Sequence, residues 1–279
     1  MTTSATTPTS SVDASLRTAL SSGERPSRPS GLSASLAFGW RAILKIKHVP
    51  EQLIEVISTP VLFTLMFTYL FGGALAGSTG EYLQFLLPGT LVMTVLLLTS
   101  FTGGQLNTDV TTGVFDRFRS LPIWQPSVIV GALLGDAARN TLSSTIVVGL
   151  GLLIGFRPDG GALGLVLAVL LLLVFAFALS WVWTTLALVL RTPGSVNTVG
   201  LLILFPLTFA SNTFVDPQTM PGWLRAFVEV NPVSLLVTAE RDLMHGTATA
   251  GQVGWVLVAS AALVAVFAPL TMYLYRNKK

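Results

Sequence analysis

The sequence predicts an all-α membrane protein with six transmembrane helices, an N-terminal amphipathic helix at the membrane interface and short outer helices between spans five and six. Three observations lead to this fold class. Only 10% of the 279 residues are charged, whereas 52% are hydrophobic, and soluble domains carry about 25% charged residues. Apolar runs long enough to cross a bilayer recur along the chain. The basic residues are concentrated in alternate segments between these runs.

The first 31 residues are rich in Ser, Thr and Pro. They lack the apolar stretch that a secretory signal requires, and their composition is typical of a chain that does not build a packed core. We therefore predict a disordered cytoplasmic tail over residues 1–31 and one membrane domain over residues 32–279.

The segment before the first apolar run has the pattern of an interfacial helix. One face carries a tryptophan among apolar residues, and the opposite face is basic, which suits a helix lying flat on an anionic membrane surface. Pro50 then begins a new helix, so we predict an elbow at this point. The two faces consist of Leu36, Trp40, Ile43 and Leu44 on the apolar side and Arg41, Lys45 and His48 on the basic side.

Five apolar runs each contain about the 20 residues that a helix needs to cross ~30 Å of hydrocarbon. A sixth run, Val196–Ala210, is shorter and contains Pro206, so it either dips into the membrane or only just crosses it. Counting this run gives six spans. The five long runs are Leu53–Gly73, Phe85–Leu106, Val128–Phe156, Ala162–Leu190 and Gln252–Tyr275.

The lysine and arginine residues predict the orientation of the spans. If the N-terminus is cytoplasmic, 12 of the 16 basic residues lie on inner segments and 3 on outer ones. This positive-inside bias places both termini in the cytoplasm, as an even number of spans requires. Nucleic acid is not an expected partner, because the basic residues lie in short segments rather than in one patch.

The third run carries an unusual polar group in its first half. Asp136, Arg139 and Asn140 are spaced i, i+3, i+4 and therefore share one helical face. An ionised side chain at the centre of a bilayer costs about 2.5–3.5 kcal/mol, so we place Asp136 and Arg139 near the inner headgroups. The two residues form either a contact with a partner protein or a salt bridge at the helix end.

The longest outer segment, residues 211–246, has helix signals without the length of a span. Pro221 and Pro232 suit the first turn of a helix, Asn231 suits an N-cap and Gly246 a C-cap. We predict two short helices that either lie on the outer surface or re-enter the membrane as half-helices. Their role is a lid over a pore or a simple surface hairpin.

Several kinds of chemistry are missing from the sequence. There is no GxxxxGK[ST] phosphate-binding loop, there is no cysteine, and the two histidines lie far apart in the chain. ATP hydrolysis, thiol chemistry and a histidine-rich metal site are therefore not expected. The spans hold almost no carboxylates, which argues against a proton-coupled carrier. We predict a chain that is not an enzyme and binds no cofactor of its own.

The polarity within the spans is mostly neutral. Hydroxyl and amide side chains in a bilayer commonly bridge neighbouring helices, and some of them are candidates to line a route for an apolar or amphipathic solute. The candidate pathway residues are Thr94, Thr99, Ser100, Thr102, Thr208 and Asn212.

The stretch GVFDRFRSLP, residues 113–122, is a compact charged segment between two long apolar runs. Arginine forks can bind acidic groups of a partner and phenylalanine can anchor in an apolar pocket. The alternative is that Arg117 and Arg119 only enforce the positive-inside topology. The candidate docking residues are Phe115, Asp116, Arg117, Phe118, Arg119, Ser120, Leu121 and Pro122.

Three motifs together resemble the permease subunits of type-2 ABC exporters, most closely the daunorubicin-resistance permeases. They are GVFDRFRSLPIWQPSVIVGALLGDAARN from residue 113, NTFVDPQTMPGWLRAFVEVNPVS over 212–234 and LLPGT over 86–90. The resemblance covers about residues 35–275 and identifies 32–279 as a transmembrane permease domain.

The resemblance implies a role for the inner segment between spans two and three. In that family it is the coupling element, which docks on a separate ATP-binding subunit, and Asp136 and Arg139 belong to the same coupling set. Two ATP-binding subunits and a second permease chain, identical or different, complete the transporter in the bacterial plasma membrane. The partner subunit binds the ATP.

The resemblance also implies the export of hydrophobic or amphipathic compounds of the drug or antibiotic type. Three alternatives stay open at the level of the sequence. The exported molecule is a lipid or a cell-wall glycan, or the chain is a channel or carrier that works without ATP, or it is a membrane-anchored scaffold.

Overall fold

The computed structural model describes residues 30–48, 50–113 and 126–277. These ranges contain nine α-helices, one short 3₁₀ turn at Pro217–Thr219 and no β-strand. The prediction of an all-α protein is therefore confirmed for the described part of the chain. In chain order the helices are α1 (Gly31–His48), α2 (Pro50–Ala76), α3 (Thr79–Thr111), α4 (Ser127–Ile154), α5 (Gly161–Val189), α6 (Pro193–Phe209), α7 (Gly222–Val230), α8 (Pro232–His245) and α9 (Ala250–Asn277).

Five of these helices are long and apolar enough to cross a membrane. They are α2, α3, α4, α5 and α9, and they coincide with the five long runs predicted from the sequence. The sixth run forms α6, which has 17 residues with Pro206 near its end. This helix has a capped start, because the Thr192 side chain accepts a hydrogen bond from the Ser195 amide and Pro193 is the first helical residue.

Helix α3 is the centre of the bundle. It packs against α2, α4, α5, α6 and α8. Of its most apolar 18-residue stretch, 83% is buried inside the protein. The corresponding share for α9 is only 11%. Both helices have membrane-like hydropathy, so hydropathy alone does not tell which helix faces protein and which faces lipid.

The N-terminal helix α1 packs tightly against α4. Small residues make the contact close: a Cβ on Gly131 would collide with Phe38, and a Cβ on Gly135 would collide with Ala42. This is the small-residue packing that lets helix backbones approach in membranes. The other face of α1 leaves Leu36 59% and Trp40 62% exposed, which is the apolar face of the predicted interfacial helix.

Helix α8 is tied at both ends to other helices. Its C-terminal end meets the start of α5, where the Gly160 amide donates to the Met244 carbonyl over 2.8 Å. Its N-terminal end meets the end of α6, where Asn231 Nδ2 donates to the carbonyls of Leu207 and Ala210. The caps are those predicted, with the Asn231 side chain accepting from the Val233 amide and Gly246 in the left-handed conformation at φ 75°.

Candidate functional site

The predicted coupling segment is only partly described. Gly113 ends the turn after α3, with φ 74°, and α4 begins after Pro126. The candidate docking residues Phe115 to Pro122 lie outside the described residues. Their contact with an ATP-binding subunit stays a prediction.

The Asp136–Arg139 pair connects α4 to α3. Arg139 Nη2 lies 2.7 Å from Asp136 Oδ1, 2.8 Å from Thr102 Oγ1 and 3.1 Å from the Leu98 carbonyl. Asp136 is 6% and Arg139 5% exposed, so both charges are withdrawn from solvent. The spacing i, i+3 predicted the salt bridge, and the two contacts to α3 make it a link between helices. A contribution of the pair to a partner contact stays a prediction.

A cavity of about 90 Å³ lies beside this pair. It is formed where α1, α3 and α4 meet, at the end of the bundle that carries Gly113 and Pro126. Its wall is more apolar than polar. The lining residues are Phe38, Arg41 and Ala42 of α1, Thr102, Gln105, Leu106 and Asp109 of α3, and Val128, Ala132, Gly135, Asp136 and Arg139 of α4.

All six candidate pathway residues are buried within this single chain. Thr99 bridges helices, because its hydroxyl accepts from Trp183 Nε1 at 2.9 Å and donates to the Leu96 carbonyl. Thr102 accepts from Arg139. Ser100 and Thr208 donate to the carbonyls of Leu97 and Leu204 in their own helices. These bonds fit the bridging interpretation, and a role in lining the transport route stays a prediction.

Asn212 belongs to the opposite end of the bundle. Its side-chain amide donates to Thr238 Oγ1 of α8 at 2.8 Å. Its backbone carbonyl accepts from Arg241 Nη2 at 3.0 Å. The residue therefore holds the segment after α6 against α8. Thr94 lies buried in the middle of α3.

Glu240 is the most deeply buried carboxylate of the described chain and was not among the residues predicted from the sequence. Glu240 is 0% exposed, and neither of its oxygens has a hydrogen-bond partner among the described residues. Burial raises the pKa of this carboxyl well above its ordinary value, and the nearby backbone of Leu172 in α5 only partly opposes the shift. Burial therefore favours the neutral form of this carboxyl.

A signal for Glu240 was present in the sequence. Along α8 the buried residues Val233, Leu236, Val237, Glu240 and Met244 recur at the spacing of one helical face. Glu240 therefore occupies a position that faces the core. The sequence left open whether α8 lies on the outer surface or re-enters the membrane, and on a surface helix a carboxylate is ordinary.

Arg241, the next residue, points away from Glu240. Its Nε donates to the Phe85 carbonyl at 3.2 Å, its Nη2 donates to the Asn212 carbonyl, and its guanidinium carbon lies 3.9 Å from the centre of the Phe85 ring. Desolvation lowers the pKa of Arg241 to about 10, against the opposing effect of Asp242 and Asp216. It remains charged and ties α8 to α3.

Gln84 joins the start of α3 to the ends of α4 and α8. Its side chain donates to the Gly155 carbonyl and accepts from the Arg157 amide. His245 lies 3.3 Å from the Gln84 carbonyl and 3.5 Å from Asp159. One residue thus connects the turn after α4 with the end of α8, so this end of the bundle is extensively bonded.

Comparison with known proteins agrees with the architecture. The family model of the ABC-2 type transporter matches residues 34–245. The chain is 55% identical over 270 residues to a daunorubicin-resistance ABC transporter permease of Streptomyces coeruleorubidus, covering 97% of this chain and 95% of the relative. It is 23% identical to a probable doxorubicin-resistance ABC transporter permease of Mycobacterium tuberculosis, over 78% of this chain and 80% of the relative. It is 25% identical to a putative transport permease of Porphyra purpurea, over 74% of this chain and 72% of the relative.

Proposed function

Since the chain belongs to the family of ABC-2 type transporters, we propose that it is the membrane-spanning permease subunit of an ATP-driven exporter of hydrophobic or amphipathic, drug-type compounds. The observation that carries this proposal is the 55% identity to a daunorubicin-resistance permease across nearly the full length of both chains. The five helices capable of spanning a membrane support it. ATP hydrolysis belongs to a separate ABC subunit in this family, and we assign none to this chain.

For the topology, we propose six spans with both termini in the cytoplasm of the bacterial cell. Helix α6 is the fifth span. Its 17 residues extend ~25 Å, and about 17 residues is the lower limit for a helix that crosses a bilayer. In this arrangement residues 1–31 form the cytoplasmic tail and residues 32–279 the permease domain, with α1 as the elbow helix on the inner leaflet. Helices α7 and α8 form a re-entrant pair, since α8 connects the end of α6 with the outer start of α5.

For the assembly, we propose two permease chains with two ATP-binding subunits. Residues 113–122 dock on the ATP-binding subunit, with Arg117 and Arg119 binding acidic groups and Phe115 and Phe118 as anchors. Movement of that segment reaches α4 directly and α3 through the hydrogen bonds of Arg139 to Thr102 and Leu98. A rigid bundle then transmits the motion to the outer end.

Crosslinking tests the docking. The chain contains no cysteine, so Ser120→Cys introduces a single thiol and Thr219→Cys, exposed in the outer 3₁₀ turn, is the matched control. We expect Ser120→Cys, but not Thr219→Cys, to form a crosslink with a co-expressed ATP-binding subunit that carries a cysteine in its docking cleft. Failure to trap that pair in any nucleotide state would reject the docking.

A double substitution separates docking from topology. Replacing Arg117 and Arg119 by Ala should reduce drug export in inverted vesicles while the amount of inserted protein stays unchanged. Loss of insertion instead would favour the alternative in which these arginines only orient the spans. In the same vesicles a panel of lipids and hydrophobic drugs distinguishes drug export from lipid or glycan export. Transport by the purified chain alone would favour a channel or carrier.

A further inference from the structure

Asn107 is a fully buried amide near the C-terminal end of α3. Its Nδ2 donates one hydrogen bond to the Ala187 carbonyl over 2.7 Å and another to the Leu190 carbonyl over 2.8 Å. Both carbonyls belong to the C-terminal end of α5, 80 and 83 residues further along the chain. One side chain therefore ties the end of α3 to the end of α5.

The end of α5 lacks the usual glycine cap. The last four carbonyls of a helix have no partner within the helix, and a left-handed glycine after the helix often helps to satisfy them. In α5 that position is held by Leu190 in an extended conformation, with φ −81° and ψ 150°, and the last turn contains no basic side chain. Asn107 therefore caps α5 from another helix.

The start of α6 is held against the same part of α3. A Cβ on Gly104 would collide with the Asn197 side chain, and a Cβ on Gly103 would come within 2.8 Å of Val196. The α5–α6 turn, residues 190–192, lies between these contacts and the bonds of Asn107. The turn is therefore attached to α3 on both of its sides.

The end of α3 leads directly to the coupling segment, residues 113–122. Helix α3 continues from Asn107 to Thr111, a distance of ~6 Å along the helix axis. This stretch contains no glycine or proline that would favour a kink. A displacement of the coupling segment that moves the end of α3 therefore also moves Asn107 and the α5–α6 turn bonded to it.

We propose that Asn107 is a positioning residue that makes the α5–α6 turn move together with the coupling segment. The proposal rests on the proposed function, because it requires an ATP-binding subunit that displaces residues 113–122. It adds a second route to the one through Arg139. The Arg139 bonds connect α3 with α4, whereas the Asn107 bonds direct the same motion to α5 and α6.

Fluorescent labels at two positions test this route. The chain has no cysteine, so Arg191→Cys places an environment-sensitive label on the exposed turn, and Thr112→Cys places one on the end of α3 in a separate chain. Each is purified with a cysteine-free ATP-binding subunit and measured before and after addition of a non-hydrolysable ATP analogue. With Asn107 intact, we expect both labels to respond. With Asn107→Leu, which removes both donors, the response at Arg191→Cys should fall about threefold or more while that at Thr112→Cys is retained.

A matched control and a rescue separate this role from a general loss of structure. Thr108→Ala is the control, because the Thr108 hydroxyl donates to the Gly104 carbonyl of its own helix, and it should leave both responses unchanged. For the rescue, Asn107→Cys is combined with Leu190→Cys. ATP-driven transport of the dye Hoechst 33342 in inverted vesicles should fall in this variant and should recover when dibromobimane bridges the two thiols.

The outcomes distinguish this proposal from the proposed function. A full response at Arg191→Cys in the presence of Asn107→Leu, or a bridged chain that transports no better than the unbridged one, would overturn the role of Asn107 and leave the docking of the coupling segment intact. If neither label responds even with Asn107 intact, the coupling itself is wrong and the role of Asn107 falls with it.

Discussion

The two ends of the bundle treat a buried acid and its neighbouring arginine in opposite ways. Near α1, Asp136 and Arg139 are three residues apart and form an ion pair of 2.7 Å. Near the opposite end, Glu240 and Arg241 are adjacent in sequence, and their side chains do not form an ion pair. Arg241 binds backbone carbonyls of Phe85 and Asn212, and Glu240 is left without a hydrogen-bond partner among the described residues.

Helix geometry explains the difference. Side chains three or four residues apart lie on one face of a helix, whereas adjacent side chains point about 100° apart. Asp136 and Arg139 therefore form one ion pair, in which each buried charge is compensated by the other. In the second pair burial favours the neutral form of the acid, and the arginine bonds to other partners. Removing one member of the first pair should therefore destabilise the fold through the other member, whereas Glu240 and Arg241 should respond independently.

The largest effect is expected at Arg139. Arg139→Met should destabilise the protein by about 3–5 kcal/mol, because it leaves Asp136 as an uncompensated buried charge. The measurement is the midpoint of thermal unfolding in detergent. The double variant Asp136→Leu with Arg139→Met should recover most of the loss, since no charge is then left unpaired. If the double variant were as unstable as the single one, the pair would not be the coupled unit that we describe.

Arg241→Ala should have the next largest effect. The variant loses two charged hydrogen bonds and the contact with the Phe85 ring, which corresponds to about 1.5–3 kcal/mol. Limited proteolysis of the outer segment 211–246, together with the unfolding midpoint, measures the change. Arg225→Ala is the matched control, because Arg225 makes only an exposed pair with Glu229, and less than about 0.5 kcal/mol is expected there. Equal losses in both variants would contradict the anchoring role of Arg241.

Gly131→Ala tests how rigidly α1 is held at its end of the bundle. The added methyl group would collide with Phe38 and approach the backbone at Gly39, so a loss of about 1–3 kcal/mol is expected. Gly149→Ala on the same helix has open space within 4 Å of the new carbon and should be neutral or slightly stabilising. Unfolding midpoints that did not differ between these two variants would show that α1 is loosely attached.

The smallest effect is expected at Glu240, and it should depend on pH. Burial raises the pKa of the folded carboxyl, so as pH rises above its ordinary value the unfolded chain ionises first and the folded state loses relative stability. Glu240→Gln cannot ionise and should change stability by less than about 1 kcal/mol at pH 5. Its advantage over the unmodified chain should grow between pH 5 and pH 8, as followed by thermal unfolding. An advantage that shrinks with rising pH would show that Glu240 is ionised in the fold.

The sequence predicted the positions of the helices better than the contacts between them. Hydropathy located the five spanning helices, and the caps at Asn231 and Gly246 were correct, because these features depend on local chemistry. The pairing of Asp136 with Arg139 also follows from local spacing. The contacts of Arg139 with α3 depend on which helices become neighbours, and no local pattern encodes that. For Glu240 the spacing of apolar residues along α8 indicates a position that faces the core, but not which helix lies against it.

The same limit applies to the candidate site residues. Thr99 and Thr102 were identified as polar residues in a span, but their partners Trp183 and Arg139 lie 84 and 37 residues away. Gly131 and Gly135 were not singled out, because a glycine in an apolar run has no distinctive local pattern. Only the packing of α1 on α4 shows why a side chain does not fit there.

Helix α9 is longer than a typical bilayer is thick. Its 28 residues extend ~42 Å, which exceeds the ~30 Å hydrocarbon thickness of a typical bilayer. Only 11% of its most apolar stretch is buried within the chain. Such a helix fits by tilting or by bending, and Pro269 provides a natural place for the bend. We therefore expect the tilt of α9 to depend on the thickness of the host membrane. Because α9 packs against α5, a change in lipid thickness would also move α5.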